Sequence, residues 1–388
     1  MSIHPGPIPT REREDASPVS QPLAPISAPP NGAAPATQPG ALRKEWDAIT
    51  RRDATALKHI FVGALSAILV FTVAMGAYAA FTGAPASTAA PSGSSASSAS
   101  SAKVAQVAVP KYQPYNAQPA AAPSGPTANI TLTVKEGLVT IAPNVAYNAW
   151  TFDGTIPGPI LRVRQGQTVN FTLINDGKMG HSIDFHAAQV APNVDYRPIP
   201  AGDKISFTFT PKYPGVFMYH CGMSPVMDHI ANGMYGAIIV DPANGWSSAK
   251  EYALVQSEFY TQKGADGSYS LDQKKMMSAM PDYVVFNGYS AQYVSNPLTA
   301  KPGEKIRLFI VNAGPTGFSA FHVIGAIFSD YYPDGNPANH MVGAQTITIP
   351  PGGGAVVELT IPDKGSYNFV THSFAAAMSG AIGAIKVG

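Results

Sequence analysis

The feature that most constrains the fold is a series of short alternating apolar segments that occurs twice. ITLTV from Ile130, TVNFTLI from Thr168, KISFTFT from Lys204, VFMYH from Val216 and GAIIV from Gly236 are strand-sized, and Gly, Pro and Asn punctuate them. Such runs, bounded by turn residues, mark strands of a sandwich whose inner faces are buried. The series then echoes itself. Phe152-Asp153-Gly154 returns as Phe286-Asn287-Gly288, and Gln165-Gly166-Gln167-Thr168-Val169 returns as Pro302-Gly303-Glu304-Lys305-Ile306. His181 before an apolar turn is matched by His322, and Gly236–Val240 by Gly383–Val387. The offset drifts only from 134 to 147 residues. An all-β head of two similar sandwiches, roughly 127–243 and 250–388, is expected. No long amphipathic helix interrupts it.

The first 126 residues read differently. Residues 1–42 are rich in Pro, Ala and Ser with no hydrophobic period, and residues 1–59 are expected to form a disordered cytoplasmic tail. Ile60–Phe81 is a run of 22 residues without a charge. At about 1.5 Å per residue it is long enough to cross a hydrocarbon core of roughly 30 Å. Arg43, Lys44, Arg51, Arg52 and Lys58 precede it, and no Lys or Arg follows until Lys103. The positive-inside rule then keeps the N-terminus inside and puts the head outside the cytoplasm, on the periplasmic or extracellular face. The long stretch before the apolar core favours an uncleaved anchor over a signal peptide. Residues 82–126 are Ala, Ser, Gly and Pro almost throughout, the composition of a flexible linker. The formal net charge of +1 provides no basic field for nucleic acid.

The chemistry lies in the histidines and the single cysteine. Of nine histidines, His4 in the tail and His59 at the membrane boundary have no metal partner in sequence, and His340, in a Gly/Asn/Pro loop, reads as a surface residue. A lone cysteine such as Cys221 is ordinarily a small buried hydrophobe and allows no intrachain disulfide. Its neighbours change that reading. Cys221, His229 and Met234 stand as C-x7-H-x4-M, and His181 comes from a strand end 40 residues earlier. Two imidazoles, a thiolate and a thioether form the donor set of a blue-copper electron-transfer site. Met223 and Met227 are nearby rivals for the thioether, but Met234 leads directly into the closing strand. His186 follows His181 in HSIDFH, and His220 immediately precedes Cys221. Adjacent strand residues point to opposite faces, so Cys221 can face one metal while His220 faces another.

These motifs carry a family resemblance. The run Trp150 to Pro159 resembles the start of multicopper oxidase domains. HSIDFH, YHCGM and HIANGMYGAIIV resemble the first domain of copper-containing nitrite reductases, and FHVIG around His322 and VTHSF around His372 resemble their second. The match covers nearly all of 128–388 and none of the first 127 residues. It implies two tandem cupredoxin-like Greek-key sandwiches. It implies His181, Cys221, His229 and Met234 as type 1 copper ligands, and His186, His220 and His372 as type 2 copper ligands. His372 would come from the neighbouring subunit of a homotrimer. It further implies Asp184 and His322 as proton-handling residues, Ile324 as the apolar wall of a nitrite pocket, and a small cupredoxin or cytochrome c as electron donor.

Three imidazoles leave an open position on copper for an oxyanion. Nitrite reduction to nitric oxide needs one electron and two protons, and Asp184, between His181 and His186, must sit near both metals. A laccase-like oxidase is disfavoured: its trinuclear cluster needs paired His-x-His motifs, whereas Gly222 follows Cys221. A tethered electron carrier with only the blue site would not need His186, His220 and His372. The second domain holds no second blue site, since Ala381 takes the place of Met234.

Overall fold

The computed structural model describes residues 104–388. The expected tail (1–59), membrane span (60–81) and first half of the linker lie outside the described residues. Among the described residues no helix is long and apolar enough to cross a membrane.

As expected, the head is built from strands. A six-stranded sheet runs in the order Thr261–Lys263, Tyr269–Leu271, Val145–Phe152, Thr127–Ala142, Thr168–Asn175, Lys204–Phe209. A four-stranded sheet, Leu161–Arg164, Tyr235–Asp241, Gly215–His220, Asp184–Phe185, faces it. Leu132, Phe171, Phe185, Tyr219 and Ile238 fill the space between them, and Cys221 and Met234 belong to the same buried cluster. The following chain forms a second pair. One sheet is Tyr283–Phe286, Lys250–Phe259, Lys305–Gly314, Gly354–Thr360, Phe328–Pro333, Met341–Ala344. The other is Leu298–Ala300, Ile382–Val387, Gly365–Thr371, Ser319–Val323, Thr346–Ile349. Leu308, Ile310, Phe321, Val357 and Phe369 form its core.

The four-stranded sheet is covered on both faces, which positions the chemistry. Along Tyr235–Asp241 every residue is buried. Ile238 and Val240 face the first core, whereas Ala237 and Ile239 pack with Ala253, Val255, Phe309 and Val311 of the next sheet. A continuous apolar run is what such a doubly covered strand requires.

Two features depart from the expected division of the chain. The hairpin Thr261–Leu271 follows the first sandwich in sequence yet extends that sandwich's sheet, with Tyr269 paired to Tyr147. Residues 104–126, read from composition as the end of the linker, form neither helix nor strand before the strand Thr127–Ala142 begins, but they lie along the head. Tyr112 stacks on Tyr289 at 3.7 Å, the Tyr115 hydroxyl donates to the Gly158 carbonyl, and Ala117 is buried. Backbone groups join in: the Val107 N–H donates to the Asp266 carbonyl, the Ala253 N–H to the Ala117 carbonyl and the Thr140 hydroxyl to the Pro110 carbonyl, so a segment with the composition of a tether is held along its length.

Candidate metal centres

Cys221 follows directly on the strand Gly215–His220, and its N–H donates to the Met234 carbonyl. His229 lies in the short helix Val226–Ala231, and the Met234 N–H donates back to the His229 carbonyl. His181 is held by a pair of backbone hydrogen bonds to Ile199. These anchors bring three donors together. Cys221 Sγ lies 3.3 Å from His229 Nδ1 and 3.9 Å from His181 Nδ1. The Ser182 N–H also points at Sγ, at 3.3 Å. Trp150 covers the cluster, its ring 4.8 Å from that of His229. His181, Cys221 and His229 are all buried. Met234 is fully buried and belongs to the same hydrophobic core as Cys221. Met223 is only partly buried there, and Met227 packs instead with Tyr260 and Met276.

Burial sets the protonation of the metal-free donors. It pushes the Cys221 thiol up to about 11, against the pull of the Met223 and Ser182 N–H groups. Burial, aided by the neighbouring His181, brings His229 down to about 4. Burial also lowers His181, although Glu136 opposes it. Both imidazoles are therefore neutral with lone pairs available, and a bound metal displaces the thiol proton. A soft thiolate with two imidazoles, sealed from water, suits copper.

The second cluster lies one residue away. Asp184 pairs with His220 across two antiparallel strands. His186 Nε2 lies 3.2 Å from His220 Nε2, with the two rings nearly perpendicular. Each ring's other nitrogen faces a backbone carbonyl: His220 Nδ1 that of Cys221 at 2.9 Å, His186 Nδ1 that of Gly352 at 3.1 Å. A carbonyl only accepts, so each Nδ1 carries the proton and each Nε2 presents a lone pair. Two lone pairs aimed at one another repel unless a cation lies between them. Burial lowers the His220 pKa, and His186 lowers it further, which favours the neutral form. Asp184 Oδ2 stands 4.0 Å from His220 Nε2. The donor set fits a metal that accepts imidazole nitrogens.

His372 and His322 lie elsewhere in the chain. Their rings are 5.2 Å apart, and the His372 N–H donates to the Ala320 carbonyl. His322 Nδ1 donates to the Gln345 carbonyl at 2.5 Å, and Nε2 has no hydrogen-bond partner among the described residues. His372 is exposed, as is Ile324 at 46%. Neither His372 nor His322 is among the donors that converge with His186 and His220. Glu136, Ser182 and Gly352 contact the clusters and were not singled out from sequence.

Known proteins resemble this chain in sequence and fold. A multicopper oxidase family model matches residues 133–245. A copper-containing nitrite reductase of Neisseria meningitidis is 40% identical over 266 residues, spanning 66% of this chain and 68% of its own length. That of Alcaligenes xylosoxydans is 31% identical, spanning 70% of this chain and 89% of its own. The chain belongs to the copper-containing nitrite reductases. The solved copper nitrite reductase of Nitrosomonas europaea superposes with a TM-score of 0.63 at 43% identity, covering 68% of this chain and 94% of that one. A family member of this kind is a copper oxidoreductase with type 1 and type 2 copper, and the two donor clusters supply the imidazole and thiolate chemistry both require.

Proposed function

We propose that this chain reduces nitrite to nitric oxide and water, consuming one electron and two protons. His181, Cys221, His229 and Met234 hold a type 1 copper. His186 and His220 hold a type 2 copper together with His372 of a neighbouring copy, in a homotrimer. The convergence of two Nε2 lone pairs at 3.2 Å, one residue from the buried thiol, carries this reading. Bound at these positions, copper supplies a one-electron redox couple and an open position for an oxyanion.

The chain's own groups do the rest. Cys221 and His220 are neighbours in sequence, so a covalent path joins the two donor clusters. The hydrogen bond from His220 Nδ1 to the Cys221 carbonyl shortens it further. Asp184 lies beside His220 with its carboxylate partly open to solvent, suited to handing a proton toward a bound oxyanion. His322, with Nε2 unpartnered among the described residues, is suited to the second proton. Ile324, an exposed apolar side chain two residues beyond His322, is the wall of the nitrite pocket in this reading. The isolation of His372 from His186 and His220 within one chain supports a site shared between copies.

The rest of the reading concerns place and partners. Ile60–Phe81 anchors the chain with residues 1–59 inside and the head outside the cytoplasm, where a small cupredoxin or cytochrome c delivers the electron. The test of the shared site mixes subunits. His186→Ala and His372→Ala chains, each inactive alone, regain partial nitrite reduction when co-assembled. Verified mixed trimers without activity, or a fully active monomer, refute the shared site.

A further inference from the structure

His181 has a second partner that the donor set does not require. Its Nε2 lies 3.2 Å from Glu136 Oε1, on the side away from Cys221. The same carboxylate oxygen accepts the Lys178 N–H at 2.7 Å. An oxygen that already receives the Lys178 N–H faces the His181 ring as an acceptor, so the carboxylate takes an N–H from each side. Gly177 leaves room for the approach: a Cβ there would come within 2.7 Å of Glu136 Oε1 and 3.3 Å of the His181 ring. The contact is therefore built into the packing rather than a loose surface pair.

We propose that Glu136 is a positioning residue that fixes the tautomer of His181 and sets the reduction potential of the type 1 copper. This rests on the reading of His181 as a ligand. An acceptor at Nε2 forces the ring proton there and turns the Nδ1 lone pair toward Cys221 and His229. A carboxylate in that position also raises the basicity of the coordinating nitrogen, as outer partners of metal-bound imidazoles do. Its negative charge favours the more positive oxidised ion over the reduced one. Glu136 accordingly lowers the potential, and removing its charge raises it.

Three variants of the copper-loaded protein test this. Glu136→Gln keeps an acceptor oxygen for Lys178 and His181 but loses the charge. Its blue absorption and copper content are expected to persist. The ratio of Cu(II) to Cu(I) affinity should fall about tenfold, which for one electron is an upward shift of about 59 mV in a poised titration of the blue band. Glu136→Leu removes the acceptor as well. In its metal-free form, imidazole nitrogen NMR should show His181 as a mixture of tautomers, against a single Nε2–H form in the wild type. His181→Ala should abolish the blue band. A change under twofold in Glu136→Gln, or one tautomer in Glu136→Leu, overturns the role of Glu136 while the ligand reading stands. A blue band that survives His181→Ala overturns the ligand reading, and this inference with it.

Discussion

Gly352→Ala tests how far the second sandwich controls the His186–His220 pair. Gly352 has a φ of +79°, and a Cβ there would lie 3.3 Å from His186 Cε1. Its carbonyl also fixes the His186 tautomer. Two costs follow. A non-glycine residue in the left-handed region costs roughly 1–2 kcal/mol. In addition the imidazole must yield by a few tenths of an ångström, which shifts both its Nε2 and its hydrogen bond to Gly352. Disturbing an outer partner of a metal-bound histidine typically costs about 10–100-fold in metal affinity. Gly303→Ala separates the two, because Gly303 has a φ of +75° but nothing within 4 Å of the added Cβ. Calorimetry should show both variants losing similar stability. Copper titration, read by the type 2 EPR signal, should show weakened type 2 binding in Gly352→Ala alone. The blue absorption should be unchanged in both, since neither added Cβ comes within 4 Å of Cys221, His181 or His229. Equal type 2 affinity in the two variants refutes the steric argument, and bleaching of the blue band in Gly352→Ala refutes the separation of the clusters.

Further outcomes are expected. Cys221→Ala should abolish the intense visible absorption while His186, His220 and His372 still bind copper, as metal analysis with optical spectra will show. Asp184→Asn should keep both coppers and lower turnover by about 10²–10⁴, the usual range for a lost acid–base group; unchanged turnover sinks the proton-transfer role. Burial would raise the Asp282 carboxyl, but Lys275 at 2.9 Å and the Thr261 N–H hold it below the usual range. Its stabilisation is therefore fully present above the unfolded value of about 3.9 and is lost as pH falls through the lower folded value. The melting-temperature gap between wild type and Asp282→Asn should be constant from neutral pH to about 5 and close below about 4; a gap that persists in acid refutes the assignment.

Alternation made the strands legible, because each sheet has a face that must be buried. It could not reveal that the hairpin Thr261–Leu271 joins the earlier sheet. That pairing joins Tyr269 to Tyr147 across more than a hundred residues, and nothing in the local pattern of either strand encodes a partner. The segment 104–126 escaped for the opposite reason. Its composition is that of a linker, and its attachment rests on contacts such as those of Tyr112 with Tyr289 and Tyr115 with Gly158, together with backbone hydrogen bonds at Val107, Pro110 and Ala117, whose partners are supplied by both sandwiches.

The metal clusters divide the same way. Cys221, His229 and Met234 are legible because one loop must carry them, and chemistry restricts what such a set can bind. The groups that decide tautomers are illegible because topology delivers them. Thr127–Val134 runs parallel to Thr168–Asn175, with Val134 opposite Asn175. Glu136 therefore lies just beyond the paired stretch, where the other strand turns into the loop that ends at His181. The carboxylate reaches the imidazole only in that register; a slip of one residue would turn Glu136 to the opposite face. The Gly352 carbonyl meets His186 across 166 residues of sequence, through the packing of one sandwich on the other. Donor residues can thus be read locally in this chain, whereas the groups that face the far nitrogens of His181 and His186 are delivered by strand register and sandwich packing.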